Sequence, residues 1–111
     1  RLDNFINFHK VKSIDLMKID VELHEPEVLE GMGIYLKKFK PDILIEVLNN
    51  NIAFKLNKLF KNLNYYYISI DDKKNILKKI NQIKKSPFYN ILICKKETYT
   101  LVKETFNKNF I

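Results

Sequence analysis

The chain has 111 residues, of which 46% are hydrophobic, 30% charged and 13% aromatic. This length allows one domain with its own core, and the composition is too apolar and aromatic for a disordered chain. Two glycines and three prolines exclude collagen-like and low-complexity proteins. Because no run of about 18 apolar residues is present, we expect no membrane-spanning helix and no membrane partner.

The net charge of +7 comes from lysine, since Arg1 is the single arginine. Lysine lacks the planar fork with which arginine reads phosphates and guanine edges, so a solvated surface is the simplest interpretation and no nucleic-acid partner is expected. The alternative is nucleic-acid binding through residues 73–85, with Tyr65, Tyr66 and Tyr67 stacking on bases. Cys94 lies in an apolar run, which indicates an inert buried thiol and is consistent with a cytoplasmic protein.

The first half of the chain predicts a helix, a strand and a second helix. Residues 2–9 have helical spacing of apolar side chains, with Asp3 or Asn4 as a cap. Residues 14–21 are apolar on both faces apart from Lys18, as in a strand covered by helices on both sides. A helix then begins at Pro26 and ends before Pro41, with glutamates at its start and lysines at its end.

The second half continues the alternation of strands and helices. Residues 43–48 predict another buried strand, and Asn49 to Asn51 can cap the helix that follows, which Asn64 ends in a left-handed conformation. The remaining predicted elements are a strand at 65–70, a basic connector at 73–85, a strand at 88–94 and a helix within 97–111. This order predicts a three-layer α/β sheet of four strands, with the first two parallel and the last two antiparallel. The first strand is apolar on both sides and calls for a neighbour on each edge, so we expect this half-sheet to lack a partner half.

Acidic residues are concentrated where the first strand ends. Five of the 13 acids are Asp20, Glu22, Glu25, Glu27 and Glu30. Ligands of open α/β sheets bind beyond the carboxyl ends of the strands. A carboxylate there could hold a substrate hydroxyl or take its proton, and His24 could do the same near neutral pH.

Simpler interpretations stand beside this one. Glutamates at a helix start interact favourably with the helix dipole, and a single histidine such as His24 is more often structural or exposed to solvent. The spacing matches no closed zinc set, so no metal site is expected. Glu46 is a buried acid by its pattern, either paired with a lysine or directed into the same crevice. The sequence contains no GxGxxG, P-loop, GxSxG or CxxC motif.

Three stretches resemble one family of enzymes. Residues 14–31 read IDLMKIDVELHEPEVLEG and are similar to DLIKIDVEGxExxVLxG, the signature of FkbM-type methyltransferases. Residues 2–6 resemble the family's LDDFI, and residues 36–46 resemble its LKKYKPxIxIE. Residues 59–67 are more weakly similar to LxxLGYxxY, with Asn64 in place of glycine.

The resemblance implies that residues 1–111 are a partial domain, the C-terminal half of a Rossmann-like class I methyltransferase. Its four strands would be the fourth to seventh, in the order 4-5-7-6 with the last pair antiparallel. The cofactor would be S-adenosylmethionine, held mostly by an absent first half, so that the isolated chain is inactive. The acceptor would be a hydroxyl of a sugar, a glycan or another small molecule.

The resemblance also implies roles for individual residues. Asp20 matches the family's acid at the end of the fourth strand, which faces the transferred methyl group and the acceptor. Glu22 and Glu25 match the following acids, which would shape the acceptor pocket, and Glu46 matches the acid of the fifth strand. We therefore expect Asp20 and Glu22 to be catalytic and Glu25 and Glu46, together with the neighbouring His24, to bind the acceptor. Leu23 stands where the family has glycine, so it would strain the turn if that position needs a positive φ. The alternative is a truncated, non-catalytic remnant that acts as a binding or oligomerisation module, its open sheet edge pairing with another chain.

Overall fold

A computed structural model of the chain describes residues 1–85 and 90–111, which form an α/β fold with one open five-stranded sheet. The strands are Leu16–Ile19 (β1), Asp42–Glu46 (β2), Tyr66–Asp71 (β3), Ile76–Ile80 (β4) and Asn90–Cys94 (β5). The helices are Leu2–Phe8 (α1), Glu25–Glu30 (α2), Tyr35–Phe39 (α3), Asn50–Phe60 (α4) and Lys96–Thr105 (α5). No helix within these described residues is long and apolar enough to cross a membrane.

The sheet has the order β1-β2-β5-β3-β4. As predicted, β1 and β2 are parallel, with Ile19 opposite Ile45. Strand β5 lies between β2 and β3 and is antiparallel to both, with Asn90 opposite Glu46 on one side and Ile70 on the other. Strand β4 is antiparallel to β3 and forms the far edge.

One face of the sheet carries the main core. Alternate residues of a strand point to the same face, and Ile43, Ile45, Ile91 and Ile93 are all buried on this one. Helices α1 to α4 bury their apolar sides against them. The buried helix and turn residues of this cluster are Ile6, Leu29, Met32, Leu36, Ile52, Ala53, Leu56 and Phe60. These four helices therefore form one layer over the sheet.

Helix α5 lies on the opposite face and covers only part of it. The Tyr66 ring on β3 stacks on Tyr99 of α5, with the ring centres 4.8 Å apart. At the start of β2, the Asp42 carboxylate accepts a hydrogen bond of 2.6 Å from the Thr98 hydroxyl. Along β1 and at the carboxyl end of β2 this face is open, and Leu16 of β1 is 65% exposed.

The structure corrects one part of the prediction for the first strand, its cover by helices on both faces, because one face of β1 is open. Strand β1 is an edge strand that pairs with β2 alone, which is where the predicted order 4-5-7-6 places it within this chain. Lys18 and Leu16 point to the open face. An apolar pattern on both sides of a strand is therefore not evidence that both sides are covered within the same chain.

The number of strands is also corrected, from four to five. The basic connector at 73–85 contains β4, whose sequence ILKKI has no alternation of apolar and polar residues. The predicted last strand begins at Phe88, but Phe88 and Tyr89 lie outside the described residues. Assignment of the strands to positions 4 to 7 of a larger sheet stays a prediction.

The helix predicted from Pro26 to the residue before Pro41 is two short helices. Helix α2 ends at Glu30, α3 begins at Tyr35, and Gly33 lies between them with a φ of +57°. A side chain at this position would also be crowded, because its Cβ would lie 3.1 Å from Asp3 Oδ2. The helical spacing of apolar residues continues from α2 into α3, so the sequence does not predict the break between the two helices.

Several local predictions are confirmed. The Asn49 side chain caps α4 by accepting a hydrogen bond of 2.8 Å from the Ile52 amide. Asn64 adopts the left-handed conformation, with a φ of +57°. Cys94 is a free and fully buried cysteine, and its burial raises the pKa of the thiol to about 12, with the nearby Asp42 carboxylate acting in the same direction. Such a thiol is almost entirely protonated at neutral pH and is a poor nucleophile.

Candidate active site

The candidate site is the turn between β1 and α2, where the acidic residues are concentrated. Strand β1 ends at Ile19, and α2 begins at Glu25. Within this turn, Glu22 and Leu23 have φ values of +36° and +72°. The chain reverses direction through two consecutive left-handed residues, a conformation that favours glycine. The strain predicted for Leu23 in place of glycine is therefore present in the backbone.

Asp20 and Glu46 each come directly after one of two residues that are opposite each other on the neighbouring strands β1 and β2. Asp20 comes directly after Ile19, Glu46 comes directly after Ile45, and these two isoleucines are opposite each other. Neighbouring strands lie about 4.8 Å apart, so both acids belong to the same edge of the sheet. The predicted grouping of acids at the carboxyl ends of adjacent strands is thus what the register produces.

Asp20, Glu22 and Glu46 are exposed. Within the described residues, none of their carboxylates takes part in an ion pair or a side-chain hydrogen bond. A solvated, unpaired carboxylate keeps its lone pairs available to accept a hydrogen bond from a bound hydroxyl. The three side chains are therefore free to interact with a ligand at this edge.

The prediction that Glu46 is buried is wrong. Its neighbours in sequence, Ile45 and Val47, are buried on the core face, but Glu46 points to the other face, where α5 does not extend over the carboxyl end of β2. The apolar run around it made the whole segment resemble a buried strand. Glu46 forms no ion pair with a lysine among the described residues, and the residue opposite Glu46 on the neighbouring strand β5 is Asn90.

His24 lies at the start of α2 with its side chain exposed, and its carbonyl accepts the Val28 amide at 3.1 Å. It lines a small cavity of about 300 Å³ between α1 and α2, together with Arg1, Glu27 and Gly31. The imidazole is accessible to a ligand, but this cavity does not include Asp20 or Glu22. The structure therefore places His24 beside the candidate site on the α1 side.

Glu25 differs from the other acids because it is buried, with 3% of its surface exposed. Its Oε2 atom has no hydrogen-bond partner, the single such buried side-chain atom among residues 1–85 and 90–111. Buried carboxyl oxygens in folded proteins are nearly always hydrogen-bonded. The structure thus places this predicted acceptor-binding residue below the surface rather than on the rim.

Asn90 is a residue of this edge that sequence reasoning missed. It is the first residue of β5 and lies opposite Glu46. Its amide can both donate and accept a hydrogen bond next to the Glu46 carboxylate. Asn90 belongs to this edge because β5 pairs with β2, a strand that is distant in sequence, and the amino-acid sequence does not reveal this pairing.

Neither a metal site nor a cofactor cradle is formed by these residues. In the described part of the chain, no group of three or more His, Cys, Asp and Glu side chains is arranged to hold a metal ion. The turn after β1 contains no glycine, and its carboxylates repel rather than attract phosphate. The chemistry that this arrangement supports is binding, orientation and deprotonation of a hydroxyl group.

Comparison with known proteins identifies one family. The family model described as the methyltransferase FkbM domain matches residues 1–67, which include β1, β2, the acidic turn and α4. No curated protein and no solved structure matches the chain. The matched region contains every residue of the candidate site except Asn90.

Proposed function

The chain belongs to the FkbM methyltransferase family, and we propose that it supplies the acceptor-binding side of an S-adenosylmethionine-dependent O-methyltransferase. The acceptor is a hydroxyl group of a sugar, a glycan or another small molecule. The observation that supports this proposal is the set of unpaired, exposed carboxylates at the carboxyl edge of β1 and β2.

Asp20 is the residue proposed to act on the hydroxyl directly. Its carboxylate accepts the hydrogen bond of the acceptor hydroxyl and would take its proton. The cofactor, when bound, would supply the methyl group, whose bond to the sulfonium sulfur would break as the bond to the acceptor oxygen forms, with S-adenosylhomocysteine as the leaving group. Glu22 is two residues further along the turn, and its carboxylate accepts a second hydrogen bond that fixes the orientation of the acceptor. Glu46 and Asn90 extend the same polar edge across the sheet.

The residues described do not by themselves fit S-adenosylmethionine. In Rossmann-like sheets a nucleotide cofactor binds at a glycine-rich turn in the crevice beyond the strand ends, and the turn after β1 contains no glycine. We propose that residues outside these 111 hold the cofactor, beside the free edge of β1. The chain's own residues then bind and orient the acceptor.

Two measurements test this division of roles. Isothermal titration of the 111-residue chain with S-adenosylmethionine should show no tight binding, and submicromolar affinity would contradict the assignment. The longest reading frame that includes this chain should transfer a methyl group to a hydroxyl acceptor, detected by mass spectrometry of the O-methylated product. Transfer only to nitrogen or carbon would contradict the proposed reaction.

A further inference from the structure

A cleft of about 450 Å³ lies between α5 and the end of the β3–β4 hairpin, on the face of the sheet opposite the main core. We call it the α5 cleft. Its lining includes Ile70, Asp71, Asp72, Leu92, Val102 and Phe106. Its volume is within the range of small-molecule binding sites.

The floor of the α5 cleft is apolar and its rim is polar. Leu92 of β5, Val102 of α5 and Phe106 at the end of α5 supply the apolar floor, and Phe106 is 49% exposed. Exposed aromatic surface inside a concave site is a favourable contact for an apolar ligand. The cleft thus fits a molecule with an aliphatic or aromatic portion.

The C-terminal tail holds this cleft in shape. The Leu77 amide donates to the Asn109 carbonyl at 2.9 Å, and the Ile111 amide donates to the Leu77 carbonyl at 3.0 Å. The Asn109 side chain also donates to the Asn75 carbonyl at 2.9 Å. These hydrogen bonds attach the tail along β4, so the wall of the cleft is tied to the sheet.

The strand register places the α5 cleft beside the candidate site. Glu46 is opposite Asn90, and Asn90 is opposite Ile70, which lines the cleft. Residues directly opposite each other point to the same face, and each strand adds about 4.8 Å. Ile70 therefore lies roughly 10 Å from Glu46, on the same face and at the same edge of the sheet.

We propose that the α5 cleft binds the apolar portion of the methyl acceptor. The acceptor is then an amphiphile, with a hydroxyl-bearing polar group at Asp20 and Glu46 and an aliphatic or aromatic portion against Leu92 and Phe106. This inference rests on the proposed function, because it takes the hydroxyl position from it. The inference restricts the acceptor to amphiphiles, a restriction that the carboxylates alone do not impose.

Direct binding to the 111-residue chain tests the cleft without cofactor or turnover. The probes are octyl glucoside, kept below its micelle-forming concentration, and methyl glucoside, which has the same sugar without the chain. Calorimetry or ligand-observed NMR should show octyl glucoside binding at least about tenfold more tightly, since burial of the octyl methylenes in the apolar floor is favourable. Equal affinity for the two glucosides would overturn the proposal.

Substitutions on and next to α5 test whether octyl glucoside binds in the α5 cleft. Phe106→Ala removes exposed aromatic surface from the floor of the cleft, and Val102→Phe fills the cleft with a larger side chain. Each should weaken octyl glucoside binding about fivefold or more. Leu101→Ala is the matched control, because Leu101 is on the same helix, 63% exposed, and does not line the cleft. Circular dichroism checks that α5 is retained. An equal effect of Leu101→Ala would show general surface binding and overturn the proposal.

The outcomes separate this inference from the function on which it rests. Methyl transfer to a small polar acceptor without octyl glucoside binding to the chain would remove the α5 cleft from the site and leave the O-methyltransferase proposal intact. Octyl glucoside binding at the cleft without any methyl transfer to a hydroxyl would contradict the proposed function instead.

Discussion

At the scale of single residues, Leu23 carries the clearest conflict between sequence and backbone. Its φ of +72° is in the left-handed region, where a branched L-amino acid is about 1–2 kcal/mol less stable than in the right-handed region. The side chain is 45% exposed, so its burial offsets little of this cost. The strain lies in the turn that also holds Asp20 and Glu22.

We therefore expect Leu23→Gly to stabilise the chain. Removing the strain outweighs the extra entropy that glycine has in the unfolded state, for a net gain of about 0.5–1 kcal/mol in the free energy of unfolding. Urea denaturation followed by circular dichroism measures this difference. Leu23→Ala is the control: it removes the same side chain but keeps the positive φ, and it should give no stabilisation. Equal destabilisation by both variants would show that the turn is not strained.

Single residues also show how far the sequence predicts local structure. Asn49 was predicted as a helix cap and caps α4, because the capping geometry depends only on neighbouring residues. Glu46 was predicted as buried and is exposed, because its burial depends on how far α5 extends over the sheet. Local geometry follows from nearby residues, whereas burial depends on the packing of distant elements.

At the scale of elements, Asp42 is the residue that attaches α5 to the sheet. Its carboxylate accepts hydrogen bonds from the Lys95 amide at 2.9 Å and from the Thr98 hydroxyl at 2.6 Å. It also forms an ion pair with the Lys95 ammonium at 3.2 Å, with the Asp42 side chain 13% exposed. Helix α5 has no fully buried residue of its own, so these polar contacts are a large part of its attachment.

Asp42→Ala should loosen α5 and lower the free energy of unfolding by about 2–3 kcal/mol, since hydrogen bonds to a charged group contribute about 1.5–3 kcal/mol each and are not additive. Hydrogen exchange should show loss of protection in α5 before the rest of the chain. Asp72→Ala, at an exposed acid with no hydrogen bond among the described residues, should change stability by less than about 0.5 kcal/mol. Unchanged protection of α5 in Asp42→Ala would contradict this role.

Strand β4 shows which elements the sequence does not reveal. Its lysines Lys78 and Lys79 point to opposite faces at the edge of the sheet, where both sides reach solvent. Lysine on an edge strand hinders pairing with other chains, and it also removes the apolar alternation by which strands are recognised. Lys79 is held above the Tyr66 ring, 5.5 Å from its centre, a contact that no local pattern predicts.

At the scale of the whole molecule, charge is separated along the chain. Ten of the 20 basic residues and only two of the 13 acids follow Asp72. The acids are concentrated in the turn after β1, at one edge of the sheet, and the lysines are numerous on β4 and α5, toward the other. The acidic edge is therefore a specific feature of the matched region rather than a general property of the protein.

The sequence predicted the α/β class, the parallel first pair of strands and the acids at their carboxyl ends. Each of these follows from short apolar runs separated by helices and from the position of Asp20 after such a run. The open edge of β1 agrees with the predicted order, in which this strand is outermost. The α5 cleft was not predicted, because it depends on which surfaces the other elements leave uncovered and combines residues of β5, α5 and the β3–β4 hairpin.

The most direct test of the central claim is the effect of Asp20→Asn on methyl transfer by the longest reading frame that includes this chain. Loss of the carboxylate that takes the hydroxyl proton should lower kcat about 10²–10⁴-fold, with the KM for S-adenosylmethionine little changed. Glu30→Gln, at an exposed acid on α2 outside the candidate site, should leave kcat near that of the unmodified protein. If Asp20→Asn retains kcat within about twofold of the unmodified protein, the acid at the end of β1 does not act on the acceptor and the account is contradicted.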